Sequence, residues 1–123
     1  MIITTRINVH DSLERIIAQR FKNTDRYAWV VRNVPFAFRE NGKKVSGDID
    51  VLARRWSGEY VVVEIKSTDN DGKRRHVYHQ LDKAERYVTR RYQDVSVVHG
   101  LYIAYETKNH EDIVAKRLFK RRR

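Results

Sequence analysis

A carboxylate and an ammonium group two residues apart on an apolar strand are costly to bury unless they bind something. Glu64 and Lys66 form such a pair within Tyr60 to Ser67 (YVVVEIKS), a segment apolar enough for the centre of a sheet. The preceding segment, Val45 to Ala53 (VSGDIDVLA), alternates Ile49, Val51 and Ala53 with Asp48, Asp50 and Leu52, so two aspartates share one strand face. A hairpin between the segments, with 13 residues between Asp50 and Glu64, brings both carboxylates to one edge of the sheet. Two converging carboxylates hold Mg²⁺, a hard ion that takes oxygen ligands and keeps waters for a phosphate to displace. Such an ion activates water and stabilises the crowded phosphorane, while an adjacent Lys orients the nucleophile or neutralises developing charge.

The elements that must position this pair are legible in outline. Asp11-Ser-Leu-Glu14 has capping-box spacing, and Leu13, Ile16, Ile17 and Phe21 keep helical period, which predicts a first helix over Ser12 to Lys22. Tyr27 to Phe38 is rich in aromatic and β-branched residues, and Pro35 makes it an edge or interrupted strand. Turns at Glu40-Asn-Gly-Lys43 and Trp56-Ser-Gly-Glu59 bound the two chemistry-bearing strands. After a polar loop, Thr68 to Lys73, the residues Val77, Leu81, Ala84, Val88 and Tyr92 predict a second, longer helix. Val95 to Tyr105 reads as a strand with Gly100 as a bulge, and Glu111 to Phe119 as a short terminal helix. The order α-β-β-β-α-β(-α) predicts an α/β fold in a single domain over residues 1–123.

The 123 residues carry 26 Lys and Arg against 16 Asp and Glu, a net charge of +10. The excess is concentrated: Lys73 to Arg91 holds seven basic and two acidic residues, and Lys116 to Arg123 six basic and none acidic. Seventeen of the cations are Arg, whose planar fork grips phosphate oxygens in pairs, so nucleic acid is the expected partner. On the second helix Lys83, Arg86 and Arg90 lie on the side of Gln80, with Arg74 and Arg75 near its start. Lys116, Arg117, Lys120 and Arg121 form a basic tail. Together these are the expected phosphate contacts, with solvated surface cations as the plain alternative. His76 and His79 lack a third ligand motif, and Tyr78 or Tyr87 are candidates for stacking on unpaired bases. No run is apolar enough to span a bilayer, the start lacks the pattern of a signal peptide, and the absence of Cys excludes thiolate chemistry. A soluble, intracellular protein, cytoplasmic or nucleoid-associated, is expected.

The strings Gly47-Asp-Ile-Asp50-Val-Leu-Ala and Val62-Val-Glu64-Ile-Lys66, with the element order above, resemble the PD-(D/E)XK nuclease superfamily over most of the chain. The family Pro before the motif Asp is replaced by Gly47-Asp48-Ile49. The uninterrupted apolar run Val51-Leu52-Ala53 favours Asp50 over Asp48 as the main ligand. Within the superfamily, the small size and the Ser-Leu-Glu-Arg opening of the first helix look most like archaeal-type Holliday junction resolvases and their viral relatives. The string from Gly47 to Arg54 also looks like a small bacterial nuclease-like family. The resemblance implies a restriction-endonuclease-like core, a mixed central sheet flanked by helices. It further implies Mg²⁺ or Mn²⁺ bound by Asp50, Glu64 and the backbone carbonyl of Ile65, with Lys66 positioning the water. Glu14 from the first helix and Gln80 from the second match further family positions, although a capping role explains Glu14 equally well. The implied function is endonucleolytic cleavage of branched DNA, such as a four-way junction, by a homodimer. Other readings are a restriction-like or single-strand exonuclease, or a DNA- or RNA-binding module on the same fold.

Overall fold

The computed structural model of the chain describes residues 9–66, 71–108 and 112–122, and the side chains of 10–66 and 75–103. Helix α1 spans Val9–Lys22, strands β1 Tyr27–Glu40, β2 Lys43–Arg55 and β3 Tyr60–Lys66, helix α2 Asp71–Arg91, and strands β4 Val98–Lys108 and β5 Asp112–Arg122. One five-stranded sheet runs in the order β1-β2-β3-β4-β5. β1, β2 and β3 form an antiparallel meander, β3 and β4 run parallel across the α2 crossover, and β5 returns antiparallel to β4. The fold is therefore α/β, with a mixed sheet and two helices. The β1–β2 turn is Asn41-Gly42, both with positive φ (52° and 78°), the pair whose twist matches the flanking strands.

The helices cover opposite faces of the sheet. Leu13, Ile17 and Ala18 of α1 pack on Val30, Val51, Ala53, Val61, Val63, Ile65 and Ile103. Val77, Leu81, Ala84 and Val88 of α2 pack on Phe36, Ile49, Leu52, Tyr60, Val62, Val98 and Tyr102. Both faces of β3 are thus dry, and Tyr60 to Ile65 are all buried. Each fully buried Val, Ile or Leu contributes about 1.5–3 kcal/mol, so β3 is the anchor against which the polar residues at its end are held.

The strict alternation expected for β2 breaks at one place. Ile49 faces α2, whereas Val51 and Ala53 face α1. On β1 the same switch separates Val30, toward α1, from Val34, Phe36 and Phe38, toward α2. Between them Asn33 takes φ 52°, and the regular β1–β2 pairing passes from Arg32 opposite Val51 to Val34 opposite Ile49, with Asn33 and Asp50 left out. The interruption of β1 therefore falls at Asn33 and not at Pro35, which stays paired opposite Asp48. Asn tolerates the left-handed region better than most residues, so it absorbs the twist. As a result Asp50 faces α1 and is no longer on the face of Leu52.

Other expectations are corrected too. α1 begins at Val9, so Asp11 lies inside its first turn, bonded to Arg15 at 2.8 Å, and does not act as a cap. The terminal segment is strand β5 and not a helix, because β4 offers it a continuous edge, paired from Lys108 opposite Asp112 to His99 opposite Arg122. A ladder of this length outweighs the weak local preference for helix. Gly100 sits in regular register opposite Val62, and the irregularity of β4 lies between Ala104 and Tyr105. α2 starts at Asp71, within the stretch expected as loop. Among the described residues no helix is long and apolar enough to cross a membrane.

Candidate metal centre

The site is a fork in the sheet. Pairing between β2 and β3 runs from Arg54 opposite Tyr60 to Val51 opposite Val63 and stops, while β3 continues beside β4 to Lys66 opposite Ala104. The two strands diverge just before Asp50 and Glu64, leaving the backbone of Ile65 without a partner on β2. Side chains take over. The Ile65 N–H donates to Asp50 Oδ2 at 2.8 Å, and the Ile65 carbonyl accepts from His10 Nε2 at 3.1 Å.

His10 is the residue that sequence reasoning missed. Its Nε2 lies 3.4 Å from Asp50 Oδ2 and its Nδ1 3.9 Å from Glu14 Oε2. One ligand atom from each of His10, Glu14 and Asp50 lies within 4.8 Å of the others. A signal was available, since His10 and Glu14 are four apart and share one face of a helix. Glu14 is buried under the sheet edge, with Arg32 Nη1 3.5 Å from its Oε1, and stands in the second turn of α1, which starts at Val9, so it does not cap the helix. Burial, then the charge of Asp50, raises the Glu14 pKa. Burial likewise raises that of Asp50, although the Ile65 N–H, His10 and Lys66 all favour its charged form.

Glu64 lies outside this tight cluster. It follows Val62 in the alternation of β3, so it enters the fork from the α2 side. Only 3% of it is exposed, and its Oε1 has no hydrogen-bond partner. Burial, followed by the charge of Asp50, pushes its pKa up to about 8 against the opposing pull of Lys66. The buried Oε1 of Gln80, on α2, has no hydrogen-bond partner either. Hard carboxylate and carbonyl oxygens, one of them buried with no donor to satisfy it, fit a divalent cation. Lys66 stands at the end of β3, half-buried, and Asp48 is exposed.

The expected phosphate face of α2 is only partly free. Arg86 and Arg90 both grip Glu40 at the end of β1, Arg90 at 2.7 Å, and both guanidinium groups lie over the Phe38 ring. Lys83 Nζ donates to the Ser46 carbonyl at 3.0 Å. Arg75, His76 and His79 are exposed. Tyr87 stacks on Phe36 with ring centroids 5.0 Å apart, so one face of its half-buried ring is taken up by packing against the core. Arg74 lies on α2, and Lys116, Arg117, Lys120 and Arg121 on β5, with side chains outside those described.

No model of a known protein family matches the chain, and no curated protein matches it. Among solved structures, one described as the crystal structure of SSO0001 is similar, at 18% sequence identity and a TM-score of 0.48. The likeness covers 93% of this chain and 48% of the other, so the chain spans about half the length of the protein it matches.

Proposed function

We propose that this protein is a divalent-metal-dependent endodeoxyribonuclease of the PD-(D/E)XK type, hydrolysing phosphodiester bonds. The observation that carries the reading is Glu64: a carboxylate almost wholly buried, one oxygen unsatisfied, beside Asp50 at the place where β2 and β3 separate. Leaving a buried carboxylate so placed costs several kcal/mol, a cost that a bound cation offsets. Asp50, Glu64 and the Ile65 carbonyl would hold Mg²⁺ or Mn²⁺, with Glu14 and His10 beside them. When bound, the ion would supply Lewis-acid charge and lower the pKa of a coordinated water.

The remaining work falls to the chain. Asp50 ties the Ile65 N–H, which fixes the direction of the neighbouring carbonyl. Arg32 holds Glu14 on the α1 side of the fork. Lys66, whose charge acts on both Asp50 and Glu64, is placed to orient the attacking water and to counter negative charge on the phosphate oxygens. The choice of branched DNA as substrate, and of a homodimer as the working unit, rests on the likeness of the motifs to junction resolvases.

The test is cleavage of an end-labelled four-way junction beside matched linear duplex and single strand, with Mg²⁺, with Mn²⁺ and with EDTA. Paired symmetric nicks in the junction alone, absent in EDTA and in Asp50→Asn and Lys66→Ala variants that still bind DNA within several-fold, are expected. Metal-dependent cutting of every substrate would remove the junction assignment. Binding without cutting in either metal would remove the nuclease reading in favour of a non-catalytic module.

A further inference from the structure

On the side of the sheet away from α2, the β1–β2 hairpin extends beyond the reach of α1 and presents a bare face. Its rungs are the cross-strand pairs Pro35–Asp48, Ala37–Ser46 and Arg39–Lys44, and all six residues are exposed. The small side chains of the first two rungs leave an open hollow of about 460 Å³ that starts at Asp48, two residues from Asp50. A second hollow of about 300 Å³ continues it past Ala37 to Arg39 and Lys44. From the first rung to the last the face runs roughly 14 Å at ordinary strand rise.

The last rung is the anomaly. Two cations directly opposite one another on the same face destabilise a ladder. Neither Arg39 nor Lys44 has an ion pair among the described residues, while Arg86 and Arg90 of α2, against the other face of the same hairpin, are paired with Glu40 and, for Arg86, also with Asp82. An anion between Arg39 and Lys44 would remove the repulsion. Floor and end therefore differ in chemistry: a smooth, small-residue track leads from the metal centre to a pair of cations with no counter-charge among the described residues.

We infer that this hairpin face is a track for one nucleic-acid strand, whose phosphodiester backbone is held by Arg39 and Lys44 while it continues toward Asp50. The inference rests on the nuclease reading for the direction of the strand, but the binding itself is separable from cleavage. Arg39 and Lys44 are binding residues remote from the reacting atoms. Ser46 and Ala37 act by their small size.

The experiment is fluorescence anisotropy of a labelled 12-nucleotide oligothymidylate in EDTA, titrated at several salt concentrations. Wild type is compared with Arg39→Ala/Lys44→Ala, with Ser46→Phe, and with Arg20→Ala/Lys22→Ala as a charge-matched control at the far end of α1. Two lost phosphate contacts should lower the slope of log K against log salt by about 1.4 and weaken binding roughly tenfold, with the control less affected. Ser46→Phe, which blocks the track without removing charge, should weaken binding with the slope nearly unchanged. Thermal melting should show the double variant no less stable than wild type, as relief of like-charge repulsion requires. An unchanged slope in Arg39→Ala/Lys44→Ala, or an effect equal to that of the control, would overturn the track even if wild type cleaves DNA with Mg²⁺. A reduced slope in a protein that cleaves nothing would support the track and remove the nuclease reading.

Discussion

Glu64→Gln should make the metal-free protein more stable at neutral pH and unable to gain stability from metal. Burial raises the Glu64 pKa from an ordinary 4.5 to about 8, so the folded protein holds a proton there that the unfolded chain releases. The sign follows: the contribution of Glu64 to stability is intact below pH 4.5, falls as pH rises, and has gone by about pH 8. At 1.36 kcal/mol per pKa unit, charging this group or keeping its proton costs about 3 kcal/mol of stability at pH 7. Gln is nearly isosteric and carries no charge, so it removes this cost. Urea unfolding of both proteins in EDTA at pH 5, 7 and 8.5 measures it: wild type should lose several kcal/mol relative to Glu64→Gln across that range. Adding Mn²⁺ at pH 8 should then restore wild type, by about 2.7 kcal/mol at one hundred times the dissociation constant, and leave Glu64→Gln unmoved. Parallel pH curves for the two proteins would refute the buried, unsatisfied carboxylate on which the proposed metal centre is built.

Three further outcomes are expected. His10→Ala should weaken Mn²⁺ binding at least tenfold by titration calorimetry, because the Ile65 carbonyl loses its hydrogen-bond partner and Asp50 a neighbouring imidazole. Gly47→Ala should lower stability by about 1–3 kcal/mol in urea unfolding, since the new Cβ would lie 2.9 Å from the Phe36 ring, which must shift against the Tyr87 ring stacked on it. Glu40→Ala should cost roughly 1 kcal/mol or less in thermal melting, because its ion pairs are partly exposed, and should strengthen oligonucleotide binding by releasing Arg90, while Arg86 keeps its pair with Asp82 at 3.1 Å.

The contrast between α1 and its expected form shows where sequence reasoning stops. The period of Leu13, Ile17 and Phe21 identifies the helix, but the same Asp11 and Glu14 spacing fits either a cap or an interior turn. Only the start at Val9 separates them. The terminal segment differs from expectation for a related reason: Ile113, Val114, Leu118 and Phe119 suit a short helix or a strand, and the open edge of β4 selects the strand. Local pattern cannot report an edge that a distant segment leaves bare.

By itself the sequence determined the meander of three strands, the second helix, the central place of β3, and the spacing that brings Asp50 and Glu64 to one end of the sheet. These follow from hydrophobic period and turn chemistry, which are local. The tertiary structure alone decided that the alternation switches at Asn33 and Asp50, that β2 and β3 diverge there, and that His10 and Glu14 close the fork from α1. It also decided that Arg90 is paired, since Glu40 reaches it only once the hairpin lies over α2, whereas the pair of Arg86 with Asp82 is local to the helix. The physical reason is common to all of these: each depends on a desolvated contact between residues distant in the chain, whose energy exists only after the sheet has brought them together.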